Sequence, residues 1–554
     1  MPHPLFERHR ATLDRALQAI AERGYWSAYP ESASPKIYGD GAAEAGKAAF
    51  DALKDKPFPL DQPGTVGAVG GEKSPYGFPL GITYPKPDLD QLFAAIAKAR
   101  AAWSKAGPEA WIGVCIEILH RINQQSFLFA NAVMHTTGQA FMMAFQAGGP
   151  HAQDRGLEAV AYAWDEMRRI PAKAHWEKPQ GKNEPIRMEK RFRIVPRGVG
   201  LVIGCCTFPT WNGYPGLFAD LATGNAVVVK PHPAAILPLA LTVKIAREVI
   251  DEAGFDPNVV TLVAHAMGDD TAQKLALRAD VKLIDFTGSA ANGNWLEANA
   301  RQAQVYTEKS GVNQIVVDSA ADFKGAVRNV AFSLSLYTGQ MCTAPQNIYV
   351  PKDGIDTAEG RLTFDQVATA LADGVQKLLA DPARAVELLG AVVNDGVLQR
   401  LDAARSLGPI VLDTQALAHP QFPGATIRTP LIVKLTAADC GKYLEEWFGP
   451  VAFVIATKDT DESLAIAKDA IERKGALTLA VYSTKGDVID RAVEVAEDAG
   501  VALSINLTGA VFVNQSAAFS DYHGTGANPA ANAALTDAAF VASRFRVVQH
   551  RVHV

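Results

Sequence analysis

From Phe192 onward, short β-branched runs alternate with helical patterns, and this alternation limits the fold more than any other feature of the chain. GVGLVIG, NAVVVK, VVTLVAH and VKLIDFTG are separated by stretches of helical spacing, one from 238 to 253 and another from Asp270. Strand, helix and strand at that separation imply right-handed βαβ units and a parallel sheet covered by helices. A second series starts with QIVVD at 314–318 and continues through NIYV, PVAFVIA and TLAVYS. The 554 residues exceed what one core holds. Two α/β domains in series are expected.

The front of the chain differs. Residues 5–23 have helical spacing, and 25–84 are rich in Pro, Gly and Tyr. That second stretch reads as a segment with little regular structure, either a surface wrap or a wall of the substrate tunnel. Helical patterns resume at Leu89 and run to Arg168, before a polar, charged excursion at 171–190. The tail ends in RFRVVQHRVHV, an alternating strand pattern. With 59 acidic against 53 basic side chains, the net charge of −6 offers no basic field for nucleic acid. The opening residues carry His, Arg and Glu where a leader peptide needs apolar ones, and no apolar run approaches a membrane span. A soluble cytoplasmic protein is expected. The five cysteines lack metal-ligand spacing and read as reduced thiols, one of which is a candidate for reactivity; no metal is expected. His550 and His553 lack Cys or acid partners and fit an edge strand better than a metal site.

Five segments could carry chemistry. FTGSAANG at 286–293 follows a predicted strand and opens a helix, so the amides around Gly288, Ser289 and Gly293 could meet a phosphate. Its spacing is not the usual dinucleotide fingerprint, and an ordinary tight turn explains it equally well. Lys230, ending NAVVVK, lies on the sheet edge where α/β proteins bind ligands, although a lysine reaching out to solvent is the plainer reading. Cys342 in GQMCTA sits in a loop open enough for a nucleophilic thiolate, or is merely a small buried residue. Glu308 in VYTEKSG and Glu446 in EEWFGPV could be a base and a ligand-hydroxyl acceptor, or solvated carboxylates. Cys205-Cys206, a vicinal pair on a predicted strand, reads as core packing rather than a redox pair.

Taken together and in order, these segments resemble the aldehyde dehydrogenase family from about Leu89 to the C-terminus. Glu308 and Cys342 stand 34 residues apart, the separation that family uses between its general base and its nucleophile. FTGS with Gly293, ATGN followed by Lys230, and the E-x-F-G-P at Glu446 accompany them. The opening HPLFERHRATLDRALQAIAERGYWSAYPE, the KIYG at Lys36 and the KPHP at Lys230 resemble a narrower group, the aldehyde dehydrogenases of phenylacetate degradation.

The resemblance implies a fold of two doubly wound α/β domains with a β oligomerisation element and a helical N-terminal layer. The expected parts are an N-terminal helical portion at 1–170, an oligomerisation excursion at 171–191, a cofactor portion at 192–308, a catalytic domain at 309–526 and a C-terminal oligomerisation strand at 527–554. A homodimer or dimer of dimers follows. The resemblance also implies that Cys342 attacks an aldehyde, that hydride loss leaves a thioester, and that water activated by Glu308 releases the acid. Lys230 would contact the adenosine ribose, Ser289 the pyrophosphate, and Glu446 with Phe448 the nicotinamide ribose. The substrate class is an aldehyde, for the narrower group a CoA-linked semialdehyde from phenylacetate ring opening or the related benzoyl-CoA route. A thiol esterase and a non-catalytic binding protein are the alternatives.

Two positions depart from the family pattern. Counting back from ATGN places Thr207 where the family supplies an oxyanion-hole Asn, with Asn212 out of register and the second choice. Pro233 occupies the place of a Glu that repels a 2′-phosphate, and His232 with Lys230 could attract one. NADP is therefore expected ahead of NAD.

Overall fold

The computed structural model describes residues 3–509 and 517–554. Both strand series form the sheets that the alternation predicts. In the first, five parallel strands stand in the order Val260–Leu262, Ala226–Lys230, Val199–Ile203, Val281–Thr287, Gln304–Glu308. The chain starts centrally at Val199–Ile203, builds outward to one side, then crosses to the other. This reversal opens a crevice at the carboxyl ends of the central strands. Ala226–Lys230 and Val199–Ile203 are buried along their whole length, which explains their unbroken apolar character.

The second sheet has seven strands: Ile410–Leu412, Leu431–Thr436, Val451–Thr457, Pro345–Pro351, Asn313–Val317, Thr478–Tyr482 and Ala502–Ile505. Only Ile410–Leu412, at one edge, runs antiparallel to its neighbour.

The front of the chain is more ordered than the sequence pattern predicts. Helices Pro4–Arg8 and Arg10–Glu22 match the first helical stretch, but 25–84 contains the helices Pro35–Tyr38 and Ala42–Leu53 and the antiparallel strand pair Thr65–Gly70 and Thr83–Pro87. Their Pro and Gly residues lie largely between the elements. Helix Pro150–Arg168 packs on Pro209–Ala222, with Gly156 lying so close to the Phe218 ring that a Cβ would stand 2.7 Å from it.

The polar excursion is a hairpin, Lys173–Gln180 and Asn183–Pro196, and the tail strand Phe545–His553 joins it antiparallel from Phe545↔Pro196 to His553↔Met188. His550 and His553 thus lie on an exposed edge strand. The expected boundary at 526 does not describe the packing. Phe519, Leu535, Phe540 and Val541 all enter the core that packs around the five-stranded sheet, so the chain returns there well before its terminal strand. Arg544 locks this return. It is fully buried, with Nη1 2.7 Å from Asp220 and Nη2 2.6 Å from Asp285.

Candidate active site

The carboxyl ends of the first sheet and the loop before Pro345–Pro351 face a cavity of about 640 Å³. Cys342, Asn212, Trp211 and His523 line its deep end, and Tyr25, Trp26 and Glu31 its mouth. The start of the 25–84 segment is therefore a cavity wall. No Lys or Arg lines the cavity among the described residues; its charged groups are Glu31, Asp154, Glu387 and, when protonated, His151 and His523.

Cys342 follows a turn held in an unusual conformation. Tyr337, Thr338 and Gly339 have φ values of 51°, 54° and 63°, a left-handed run that costs roughly 1–2 kcal/mol for each non-glycine residue. Buried partners enforce it. Thr338 Oγ1 donates to Leu389 O at 2.8 Å, the Tyr337 hydroxyl bonds Thr137 O, and Gln340 Nε2 donates to Ala391 O at 3.1 Å. A Cβ on Gly339 would lie 2.5 Å from Gly449 O. Beyond the turn, Asn313 Nδ2 donates to Cys342 O at 2.8 Å and to Ala344 O at 3.0 Å, fixing the loop to the sheet.

Glu308 ends the strand Gln304–Glu308, buried beside Cys342. Asn212 Nδ2 donates to its Oε2 at 2.8 Å, and His523 Nε2 stands 3.1 Å from Oε1. His523 Nε2 is also 3.9 Å from Cys342 Sγ, and the ligand atoms of Glu308, Cys342 and His523 all lie within 4.8 Å of one another. Burial alone would raise the Glu308 carboxyl, but the His523 charge and the hydrogen bonds from His523, Cys342 and Asn212 outweigh it and hold it below its ordinary value. Burial and then the facing Glu308 charge push the Cys342 thiol well above its ordinary value.

Of the two oxyanion candidates, Asn212 lines the cavity. Thr207 backs onto the Cys205 thiol, and its carbonyl accepts from Gln139 Nε2 at 2.8 Å. Cys205 and Cys206 lie in the loop after Val199–Ile203 rather than on a strand, because the strand ends at Ile203.

Lys230, His232, Pro233, Gly288, Ser289 and Gly293 lie at or just after strand ends of the first sheet, whereas Glu446 and Phe448 precede Val451–Thr457 of the second. Lys230 is buried and unpaired with any carboxylate among the described residues, and burial lowers its pKa to about 8. Burial, Lys230 and His265 lower the neighbouring His232 to about 4, and its Nδ1 accepts from Ala234 N at 3.1 Å. His232 is thus neutral near pH 7 and adds no charge for a phosphate, contrary to the expectation from KPHP. Pro233 follows, half-buried and without charge. Ser289 is the exposed N-cap of helix Ala290–Asn299. Gly288 packs on the Phe286 ring and Gly293 on the Lys309 stem, where a Cβ would stand 2.8 and 2.5 Å away respectively. Their smallness thus serves packing within the turn. Glu446 is half-buried, raised to about 7 by burial, and accepts weakly from Gly311 N at 3.5 Å; Phe448 O accepts from Arg400 Nε at 2.9 Å. The N-terminus of helix Ala290–Asn299 is capped from within, by Ser289 Oγ at Asn292 N and by Ser310 Oγ at Ala290 N, which leaves Lys230 as the buried charge without a carboxylate partner among the described residues.

The model of the aldehyde dehydrogenase family matches residues 83–531. The chain belongs to the aldehyde dehydrogenase family. The crystal structure of an NAD-dependent aldehyde dehydrogenase from Burkholderia multivorans superposes with a TM-score of 0.99, at 67% identity over 100% of both chains. N-succinylglutamate 5-semialdehyde dehydrogenase of Chromobacterium violaceum is 29% identical over 409 residues, 72% of this chain and 78% of that protein. A 1-pyrroline-5-carboxylate dehydrogenase from Thermus shares the fold, with TM-score 0.73 at 20% identity, covering 96% of this chain and 99% of that one. This aldehyde dehydrogenase is accordingly an oxidoreductase acting on aldehydes. No helix among its described residues is long and apolar enough to cross a membrane.

Sequence reasoning missed His523, Trp211 and Asn313. His523 lies in the Ala/Asn-rich tail, 181 residues beyond Cys342, and reaches the site where that tail folds back on the first core. No spacing rule in the chain marks it.

Proposed function

We propose that this aldehyde dehydrogenase oxidises a bulky, largely apolar aldehyde to its acid, with Cys342 as nucleophile and Glu308 as the base for water. The placement of Cys342 beside Glu308 at the deep end of the cavity carries the reading. Cys342 adds to the aldehyde carbon, and Asn212, facing the cavity, takes the side-chain donor role expected of Thr207. A bound nicotinamide supplies the hydride acceptor. Glu308 then removes a proton from the water that cleaves the thioester, giving a free acid. Cofactor contacts fall to Lys230, Ser289 and the adjoining turn amides, with Glu446 and Phe448 at the nicotinamide ribose.

The missing acid at Pro233 leaves a 2′-phosphate unopposed, so NADP is accepted as well as NAD. The NAD-dependent Burkholderia neighbour supports NAD, and the neutrality of His232 removes one argument for an NADP preference. An acyl semialdehyde from phenylacetate ring opening remains the substrate that the sequence resemblance favours. Among the described residues the cavity has no Lys or Arg to meet CoA, so the phosphates of such a substrate would stay outside the mouth. Exposed Val547, Val548, Val552 and Ile186 on the three-stranded sheet support pairing of subunits there.

Absorbance of the reduced nicotinamide tests this reading, using neutral aromatic, carboxylate-bearing and CoA-linked aldehydes with each cofactor. Turnover of bulky aldehydes with both cofactors is expected. Turnover confined to small carboxylate-bearing aldehydes would overturn the substrate reading, and none with NADP the cofactor reading.

A further inference from the structure

A single carboxylate beside the thiol leaves a proton unplaced. Glu308 must be ionised to deprotonate water, yet its charge adds to burial in opposing ionisation of Cys342. If Glu308 also took the thiol proton, it would have to lose it again before the hydrolytic step.

His523 stands where that proton can go. Its Nε2 lies 3.9 Å from Cys342 Sγ and 3.1 Å from Glu308 Oε1, and the residue is 2% exposed. The first distance is that of a resting site, and such contacts tighten when substrate binds. The surroundings hold the ring in place. Trp211 meets it edge to face at 4.7 Å, and the Arg155 guanidinium lies 5.0 Å over Trp211. Leu535 N donates to His523 O at 2.9 Å, and Phe519 N donates to the buried Glu158 at 3.0 Å. These bonds tie down both flanks of the loop.

We propose that His523 is a further catalytic residue, receiving the Cys342 proton so that a thiolate–imidazolium pair forms against the Glu308 carboxylate. This rests on Cys342 being the nucleophile. With the imidazole neutral and its own proton on Nδ1, Nε2 takes the sulfur's proton as Sγ bonds to the aldehyde carbon and the carbonyl π pair moves onto oxygen; the imidazolium so formed donates Nε2–H to Glu308 Oε1. In the hydrolytic half, Glu308 takes a proton from water, the new C–O bond forms and the C–S bond breaks. The leaving sulfur then recovers its proton from Nε2. Each proton has its own acceptor.

The other ionisable groups around the pair are few. Glu446 and Cys205 face Cys342, and both oppose its ionisation. Asp154, Glu387 and the Glu31–His151 pair lie further out along the cavity wall. None sits between sulfur and imidazole.

Alkylation of Cys342 by iodoacetamide from pH 5 to 10 tests the proposal. The full-length protein is used without aldehyde or cofactor, and modification is read on the Cys342 peptide by mass spectrometry, because Cys440 is also exposed. Burial and Glu308 alone would confine reaction to alkaline pH, so a wild-type rate plateau at neutral pH is the mark of the pair with His523. His523→Gln should lose that plateau, falling at least tenfold at pH 7 and recovering only in the alkaline range. Imidazole added to His523→Gly should restore the neutral rate. A wild-type profile that rises only above pH 9, or a His523→Gln profile lying on the wild type, overturns the proposal. The wild-type profile decides even if the variants do not fold. With no substrate present, failure here leaves the substrate reading untouched.

Discussion

Replacing Arg544 with Met should unfasten the tail that carries His523. Arg544 and Asp220 are fully buried, Asp285 nearly so, and three hydrogen bonds of 2.6–2.8 Å join them. The close fit extends to the backbone: a Cβ on Gly200 would stand 1.9 Å from Asp220 Oδ2, and one on Gly216 2.3 Å from Asp285 Cγ. Met fills most of the guanidinium's volume but leaves two carboxylates facing each other without a cation. Removing one partner of a buried ion pair costs about 3–5 kcal/mol. At roughly 2–4 °C per kcal/mol for a domain of this size, the melting temperature should fall by about 6–20 °C. The loss should also depend on pH. Burial already raises the Asp220 pKa while Arg544 pulls it down, so removing Arg544 raises it further. An acid whose folded-state pKa is raised destabilises the fold once pH climbs above its unfolded value, and the penalty grows until the folded pKa is passed. The gap between variant and wild type, measured by calorimetry, should therefore be wider at pH 8 than at pH 5. A melting temperature within 2 °C of wild type, or a gap that widens toward acid, would refute the electrostatic account of this anchor.

Three other outcomes follow. Gly339→Ala, at φ 63° with Gly449 O in the way, should lose about 1–3 kcal/mol in a chemical denaturation curve and depress kcat by shifting the Cys342 loop. Asn212→Ala should lower kcat/KM by about 10²–10³-fold while Thr207→Ala lowers it far less; the reverse order would return the oxyanion role to Thr207. Glu72, buried and raised to about 7, accepts from Ile236 N and Leu237 N at the start of helix Leu237–Glu252. Its raised pKa makes the fold lose stability as pH rises from about 4.5 to 7, by roughly 3 kcal/mol, and Glu72→Gln should flatten that part of the stability profile.

Local chemistry made much of this molecule readable from its sequence. The strands of both sheets were legible because burial on both faces demands continuous β-branched runs, as in Ala226–Lys230. Cys342 and Glu308 were legible through a spacing in register with the accompanying motifs. Segment 25–84 was not, because its Pro and Gly residues mask the short helix Ala42–Leu53 and the strand pair that follows. Asn212 was put second to Thr207 by a count along the chain. In the fold, the first turn of helix Pro209–Ala222 brings its amide to Glu308. His523 was illegible for a different reason. Its role depends on a tertiary return fixed by Arg544, Arg155 and Glu158, and buried ion pairs between distant segments leave no periodic trace.

The central claim is that Cys342 carries the acyl group and Glu308 releases it. Rapid mixing of Glu308→Gln with aldehyde and cofactor, followed by intact-protein mass spectrometry, tests it most directly. One equivalent of reduced nicotinamide per subunit, and an acyl adduct on Cys342 that persists, are expected. Full steady-state turnover by Glu308→Gln, or an adduct that forms equally well in Cys342→Ala, would contradict it.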